Sequence, residues 1–399
     1  MKDVIRRLST EEVIYQTNMI NRIPRGTLTE VHISDIHFGA FDPKVQYQIL
    51  EEQFISKLYQ FRFDILSIDG DLFDHKFMSN SDTVMYATIF VNKLVERCRE
   101  IGATLIMIAG TEYHDAKQLK LFYHYTQDPT VDVRIVEQVQ FEYVKGARIL
   151  CIPELYNMGD EYYANYLYNQ GYYDSVFMHG TYEGAVYQAK NQESGINSEF
   201  APTFNMDNFV LCEGPMISGH VHTGGCFGGY FYYNGSPLRY HYGEENEKGF
   251  LIVLHNLDTQ AHYVHLEPIY SFRYDTIEAN QLISKDPQEI INYLDNLHSQ
   301  GIDHIRLKIT KVLSDNENAN YTILKNYYRN SDYIDLLYNQ KRSDQDRKIM
   351  QDLTEEYENY SYLLDQSLDA YTKFVMYVNS QEDGDFISVD ELKSILDDE

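Results

Sequence analysis

The chain has 399 residues, enough for one large domain with smaller ones attached. Hydrophobic residues make up 43%, ordinary for a globular protein, and no apolar run reaches the length of a membrane span. With 33 basic against 61 acidic residues the net charge is −28, which conflicts with the basic footprint usual in proteins that grip nucleic acid unaided.

Residues 1–27 form an N-terminal extension, in which STEEVIYQ pairs a Ser-Thr start with Glu and predicts a short helix. MKDVIRRLSTEEVIYQ lacks an apolar signal core, so secretion is not expected. Residues 28–267 read as a catalytic α/β domain. Its runs LTEVHIS, FDILSI, ATLIMIA, SVFM and PMIS are short, apolar and β-prone, as buried strands are. VQYQILEEQFISKLYQF and TVMYATIFVNKLVERCREI predict helices between them. After residue 208 come short strands and Gly-rich turns, with GGCFGGYFYYNGSP as a loop-hairpin and GFLIVLHNL and AHYVHLEP as strands. Two packed sheets flanked by helices satisfy this mix.

Residues 268–340 predict a small α/β unit, with a strand at HIRLKITKV and a helix at NYTILKNYYRN. Residues 341–399 begin with QKRSDQDRK and continue with Ile349, Leu353, Leu364, Leu368 and Phe374 in a loose helical pattern that needs a cover. EDGDFISVDEL resembles the end of a calcium loop, but with Gly384 in the glycine position the aliphatic residue is displaced by one and the first ligands would be Asn379 and Gln381. A helix capped at Ser388, with Glu391 three residues on, explains it better. Cys98, Cys151, Cys212 and Cys226 form no CxxC pair and read as reduced thiols of a cytoplasmic protein.

The chemistry lies in islands that directly follow the apolar runs. Asp35 and His37 stand in SDIHFG, Asp71 in GDLFD, His114 in GTEYHD, His179 in MHG, and His220 with His222 in GHVH. Ligands of open α/β sheets bind at the carboxyl ends of strands, so these islands are expected to meet at one sheet edge. A carboxylate and an imidazole two residues apart can reach one cation together, as Asp35 and His37 would. A carboxylate with two free oxygens can bridge two cations, and Asp71 is the candidate. The mixed N/O donor set of these residues with His179, His220 and His222 suits Mn, Fe or Zn better than Ca or Mg. Two such ions about 3.5–4 Å apart clamp the attacking and leaving oxygens of a phosphate ester and acidify a shared water. Each motif alone is weak, since Gly-Asp is ordinary turn chemistry. Five islands after five strands make the case. Asp74 reads as a turn residue or a support behind the ligands, His75 as a surface histidine, and His32 as a structural strand residue.

In this order the motifs resemble the calcineurin-like metallophosphoesterase superfamily over residues 28–255. NGSPLRYHYGEENEKGF, residues 234–250, resembles the GSP-x-R…GE…KGF stretch of the SbcD nuclease subunit family, found in double-strand-break repair and phage recombination nucleases. The resemblance implies a four-layer α/β-β/α sandwich with a capping domain over 268–340 and a partner-binding helical segment over 341–399. It implies a DNA exonuclease and single-strand endonuclease that uses two divalent ions, with Mn first. Such a subunit works beside an SbcC-type coiled-coil ATPase, as a homodimer, in the cytoplasm. Carried over residue by residue, Asp35, His37, Asp71 and His222 match the first metal's ligands, and Asp71, His179 and His220 the second's.

One departure stands out. The family's loop reads Gly-Asn-His-Asp, whereas this chain has Gly110-Thr111-Glu112-Tyr113-His114-Asp115. His114 is the expected transition-state stabiliser or general acid, with Asp115 behind it. Thr111 or Glu112 replaces the metal-binding Asn, or His114 itself turns to the metal. Lys308, Lys311, Lys325 and Arg329 are candidate DNA-phosphate contacts, or else ordinary solvated charges. Tyr230, Tyr232 and Tyr233 either stack bases or fill the core. Two rival functions remain: a phosphoesterase acting on something other than DNA, and a structural subunit in which metals only staple the fold.

Overall fold

The computed structural model describes residues 24–115, 117–183, 202–244 and 246–338, with residues 373 and 375. The expected helix at STEEVIYQ, the amphipathic pattern after 341 and the helix at Ser388 lie outside the described residues. The chain divides into two compact units. One comprises Met1–Ile277, Ile291–Arg306 and Asn330–Asp335, the other Glu278–Ile290, Leu307–Arg329 and Leu336–Glu399.

In chain order the first strands are β1 (Thr27–Ile33), β2 (Ile65–Asp69), β3 (Thr104–Ile108), β4 (Asp132–Val136), β5 (Gln140–Val144), β6 (Ala147–Ile152) and β7 (Ser175–His179). A short pair, β8 (Thr181–Tyr182) and β9 (Thr203–Phe204), precedes β10 (Met216–Gly219). Then come β11 (Gly225–Phe227), β12 (Phe231–Tyr233), β13 (Gly249–Asn256) and β14 (His262–Pro268). Two six-stranded sheets result, ordered β14-β13-β1-β2-β3-β4 and β11-β12-β10-β7-β6-β5. Strands β1 to β4 are mutually parallel, and so are β6, β7, β10 and β12. Every strand that precedes an island, at LTEVHIS, FDILSI, ATLIMIA, SVFM and PMIS, is therefore a parallel strand of one of these sheets.

The apolar runs are continuous because both faces of the strands are covered, as parallel sheets require. On the outer face of the first sheet, Val31, Ile33, Leu66, Ile68, Leu105 and Met107 pack on the helices. One is the 20-residue helix Asp82–Ile101, which Ser81 caps and left-handed Gly102 ends. The other starts at Pro43, capped by Asp42, and continues through a π turn, Glu51–Ile55. Alternate residues Ile65, Ile106 and Ile108 meet Ile149, Cys151 and Phe177 of the second sheet. The second sheet's outer face packs Leu150, Val176 and Met178 on Tyr163 and Leu167 of helix Asp160–Tyr168. The architecture is mixed α/β, with two sheets face to face and helices on both outer faces.

Beyond β14, strands β15 (Tyr274–Glu278), β16 (His304–Ile309) and β17 (Ile334–Tyr338) form a three-stranded sheet, and helices span Pro287–Ser299 and Asp315–Tyr327. The strand expected at HIRLKITKV and the helix expected at NYTILKNYYRN are both present. All four cysteines are free. Among the described residues no helix is long and apolar enough to cross a membrane.

Candidate metal centre

The turns that leave the strands are bent to aim side chains. Asp35, His37, Asp71 and His220 all have positive φ, at 51°, 47°, 53° and 91°. Non-glycine residues seldom adopt this region, and such strain clusters at functional sites. Two glycines make room. A Cβ on Gly70, where φ is +89°, would lie 2.1 Å from His179 Nδ1, and one on Gly110 would lie 2.2 Å from Asp71 Oδ1. Backbone bonds lock the first two turns together, from Asp35 N to Gly70 O and from His37 N to Asp71 O.

Six residues expected as ligands converge. The donor atoms of Asp35, His37 and His222 lie within 4.8 Å of one another, and so do those of Asp35, Asp71 and His179. His37 Nε2 and His222 Nε2 are 3.0 Å apart. Asp71 Oδ2 is 3.8 Å from His37 Nε2 and 3.3 Å from His179 Nε2, so it stands between the two groups. Asp35 accepts from His220 N at 2.9 Å. A third grouping unites His179, His220 and Glu154, and a fourth His37, Asp74 and His114.

The electrostatics call for positive charge. Burial opposes the ionisation of Asp71, but the imidazoles of His179, His37 and His114 outweigh it and hold the carboxyl well below its usual range. Burial also opposes charge on His179, yet Asp71 raises that imidazole well above its ordinary value. Burial holds His37 well below its own. His37 Nδ1, His179 Nε2, His220 Nε2 and Glu154 Oε1 are buried and make no hydrogen bond, although His179 Nε2 faces Asp71 closely. Buried polar atoms rarely go unpaired, and divalent cations would satisfy those of His179, His220 and Glu154. The donor set fits a transition metal.

The loop after β3 differs in detail from expectation. His114 Nε2 faces Asp71 Oδ2 at 4.0 Å, and its Nδ1 bonds the Asp74 carbonyl. Asp115 supports the loop through other partners: its carboxylate accepts from the amides of Leu72, Phe73 and Gly110. It thus fastens the GDLF turn to the GT turn. Burial and the neighbouring Asp71 charge push its carboxyl up to about 6. Thr111 donates its amide to Asp71 Oδ1 at 2.7 Å. Glu112 joins none of the ligand groupings, and it is exposed. Asp74 pairs with half-exposed His75.

Behind the ligands the 234–250 tract wraps the site. His222 Nδ1 faces Glu244 Oε1 at 3.2 Å, and Lys248 Nζ joins Glu244, the His222 carbonyl and Ser236 Oγ. Tyr240 OH donates to the Asp35 carbonyl. Asn234 Nδ2 reaches Asp69 Oδ2, whose residue takes the His179 Nδ1 proton on its backbone carbonyl at 2.8 Å. That bond fixes the His179 tautomer with Nε2 toward Asp71.

Sequence reasoning passed over Glu154, two residues beyond β6. The rule that found the others, an acidic or imidazole side chain just past an apolar run, applies to ARILCIPE as well. Tyr156 stands beside it, its phenol raised by burial and by the Glu154 charge. The candidate DNA contacts all belong to the second compact unit. Lys308 pairs with Glu278 and Lys311 with Glu317, while Lys325 and Arg329 are exposed. Tyr233 is core, 1% exposed, which removes it as a base platform, whereas Tyr230 is 49% exposed.

No family model matches the chain, and no curated protein does. Among solved structures, one chain matches along its full length and covers 61% of this one at 13% identity and TM-score 0.36. A cold-active protein tyrosine phosphatase of a Shewanella species covers 59% of this chain and 80% of its own at 12% identity, with TM-score 0.27. Another structure of a cold-active protein tyrosine phosphatase gives 13% identity, 59% and 78% coverage and TM-score 0.25. All three are distant.

Proposed function

We propose that this chain is a dinuclear-metal phosphodiesterase of the SbcD type, a DNA exonuclease and single-strand endonuclease subunit, and that its two sheets form the metallophosphoesterase four-layer sandwich. The observation that carries the reading is Asp71 Oδ2 standing between His37 Nε2 and His179 Nε2 at 3.8 and 3.3 Å. Asp35, His37, Asp71 and His222 would hold one cation, and Asp71, His179 and His220 the other, with Mn preferred and Fe or Zn compatible. When bound, such ions supply Lewis acidity and an acidified water at a phosphodiester.

The protein groups do the rest. Left-handed Asp35, His37 and Asp71 hold their donors at fixed positions before substrate arrives, so little reorganisation is left for the reaction. Glu244 and Lys248 orient His222, and the Asp69 carbonyl orients His179. His114 keeps its Nδ1 proton on the Asp74 carbonyl and turns Nε2 to the site, where it can stabilise the transition state or protonate the leaving 3′ oxygen. The DNA part of the reading is supported by the SbcD-like tract, whose Ser236, Glu244 and Lys248 surround His222. The net charge of −28 argues that the partner ATPase, engaged through residues 341–399, supplies much of the grip on DNA.

The deciding experiment measures cleavage of labelled single- and double-stranded DNA and of a chromogenic phosphodiester, in Mn or EDTA, with and without the ATPase. DNA cleavage should need Mn and fall at least about a thousandfold in Asp71→Asn. Hydrolysis of the small diester with DNA left intact would instead mean another phosphoester substrate. Absence of metal-dependent hydrolysis of both would mean a structural subunit.

A further inference from the structure

In the loop after β3, Thr111 and Glu112 stand where the resembled family has its asparagine. The Thr111 hydroxyl is engaged between two carboxylates, 3.4 Å from Asp71 Oδ2 and 3.2 Å from Glu154 Oε2. Glu112 is exposed. Another strand end fills the gap. β6 lies beside β7 in the second sheet and runs parallel to it, so its exit opens on the edge where β7 delivers His179. Glu154 leaves that exit, and its amide bonds the Ala109 carbonyl at the exit of β3. Its side chain is 1% exposed, with Oε2 3.0 Å from His220 Nδ1 and 3.7 Å from His179 Nε2. One donor atom from each of the three residues lies within 4.8 Å of the other two. Oε1 of Glu154 and the Nε2 atoms of His179 and His220 have no hydrogen-bond partner. A carboxylate this deeply buried is expensive unless a cation compensates it.

We propose that Glu154 is an oxygen ligand of the second cation, in the place that the resembled family gives to the loop asparagine, and that Thr111 is a positioning residue holding Glu154 and Asp71. This rests on the dinuclear reading above. An amide ligand is neutral, whereas Glu154 adds a negative charge to those of Asp35 and Asp71. The second ion is therefore held more by charge, and less positive charge is left facing the phosphate.

The test is Mn titration of the metal-free full-length chain, followed by calorimetry and by the electron paramagnetic resonance signal of a coupled Mn pair. Wild type should take up two ions. Glu154→Gln, which keeps shape and loses charge, should weaken one binding step at least about tenfold and leave the other unchanged. Glu154→Ala should retain one ion and lose the coupled signal. Two wild-type affinities in both variants would overturn the proposal while leaving the dinuclear reading intact. Loss of both ions from a Gln variant with native circular dichroism would also overturn it. A wild-type chain that binds no Mn pair would defeat the dinuclear reading itself.

Discussion

His114 shows how one side chain can be separated into binding and catalytic parts. It lies 28% exposed at the rim, while Asp71, which it faces at 4.0 Å, is buried. Its Nδ1 is committed to a backbone carbonyl, so the ring cannot swing without breaking that bond. The ligand groupings around Asp35, His37, His222, Asp71 and His179 are complete without it. His114→Ala should therefore lower turnover on DNA by about a hundredfold or more, the usual worth of a positioned acid or base, with Mn affinity close to wild type. Unaltered turnover would remove His114 from the chemistry, and a parallel loss of Mn would recast it as a ligand.

Where the two sheets face each other, the apolar layer gives way to a buried polar network linking β1, β2 and β13. Glu30, His32, Asp69 and His255 are fully buried there. His32 Nδ1 is 2.9 Å from Asp69 Oδ2, and its Nε2 3.4 Å from Glu30. Burial disfavours charge on His32, but Asp69 outweighs it and raises the imidazole to about 9 from 6.5. Burial likewise opposes charge on Glu30, yet His255 and His32 bring it down to about 2. The stabilisation from His32 is thus full below pH 6.5 and lost as pH rises through 9, and that from Glu30 is full above pH 4.5 and lost toward 2. The thermal midpoint of the metal-free chain should fall between pH 6.5 and 9, and His32→Gln should flatten that fall while lowering the midpoint at pH 6. Equal slopes in variant and wild type would place the pH dependence elsewhere. A lone histidine in LTEVHIS reads no further than a structural strand residue, because its partner Asp69 comes from another strand and His255 joins the network only through Glu30. The ligands, by contrast, were legible, since each sits in a short motif straight after its own strand. Glu154 has the same signal in ARILCIPE but no imidazole beside it, and Glu244 and Lys248 gain meaning only once the tract folds back on His222.

For the whole molecule the governing quantity is charge. A net −28 repels a polyanion at long range, whatever the local field of bound cations. The second compact unit does not reverse this among its described residues, because Lys308 and Lys311 already pair with Glu278 and Glu317. Lys285, Lys325 and Arg329 are exposed, but three cations release few counterions. The isolated chain, with Mn present and Asp71→Asn to block cleavage, should bind duplex DNA no tighter than the roughly micromolar range of non-specific binding at physiological salt. Its affinity should decline only shallowly with salt, since the slope counts the phosphates neutralised. If the proposed coiled-coil ATPase is the partner, adding it should raise both affinity and slope, because the basic contacts would then come from it. Fluorescence anisotropy with a labelled duplex reads both quantities. Nanomolar binding by the chain alone, or a steep slope without the partner, would mean that the fold presents a basic surface that the overall charge conceals.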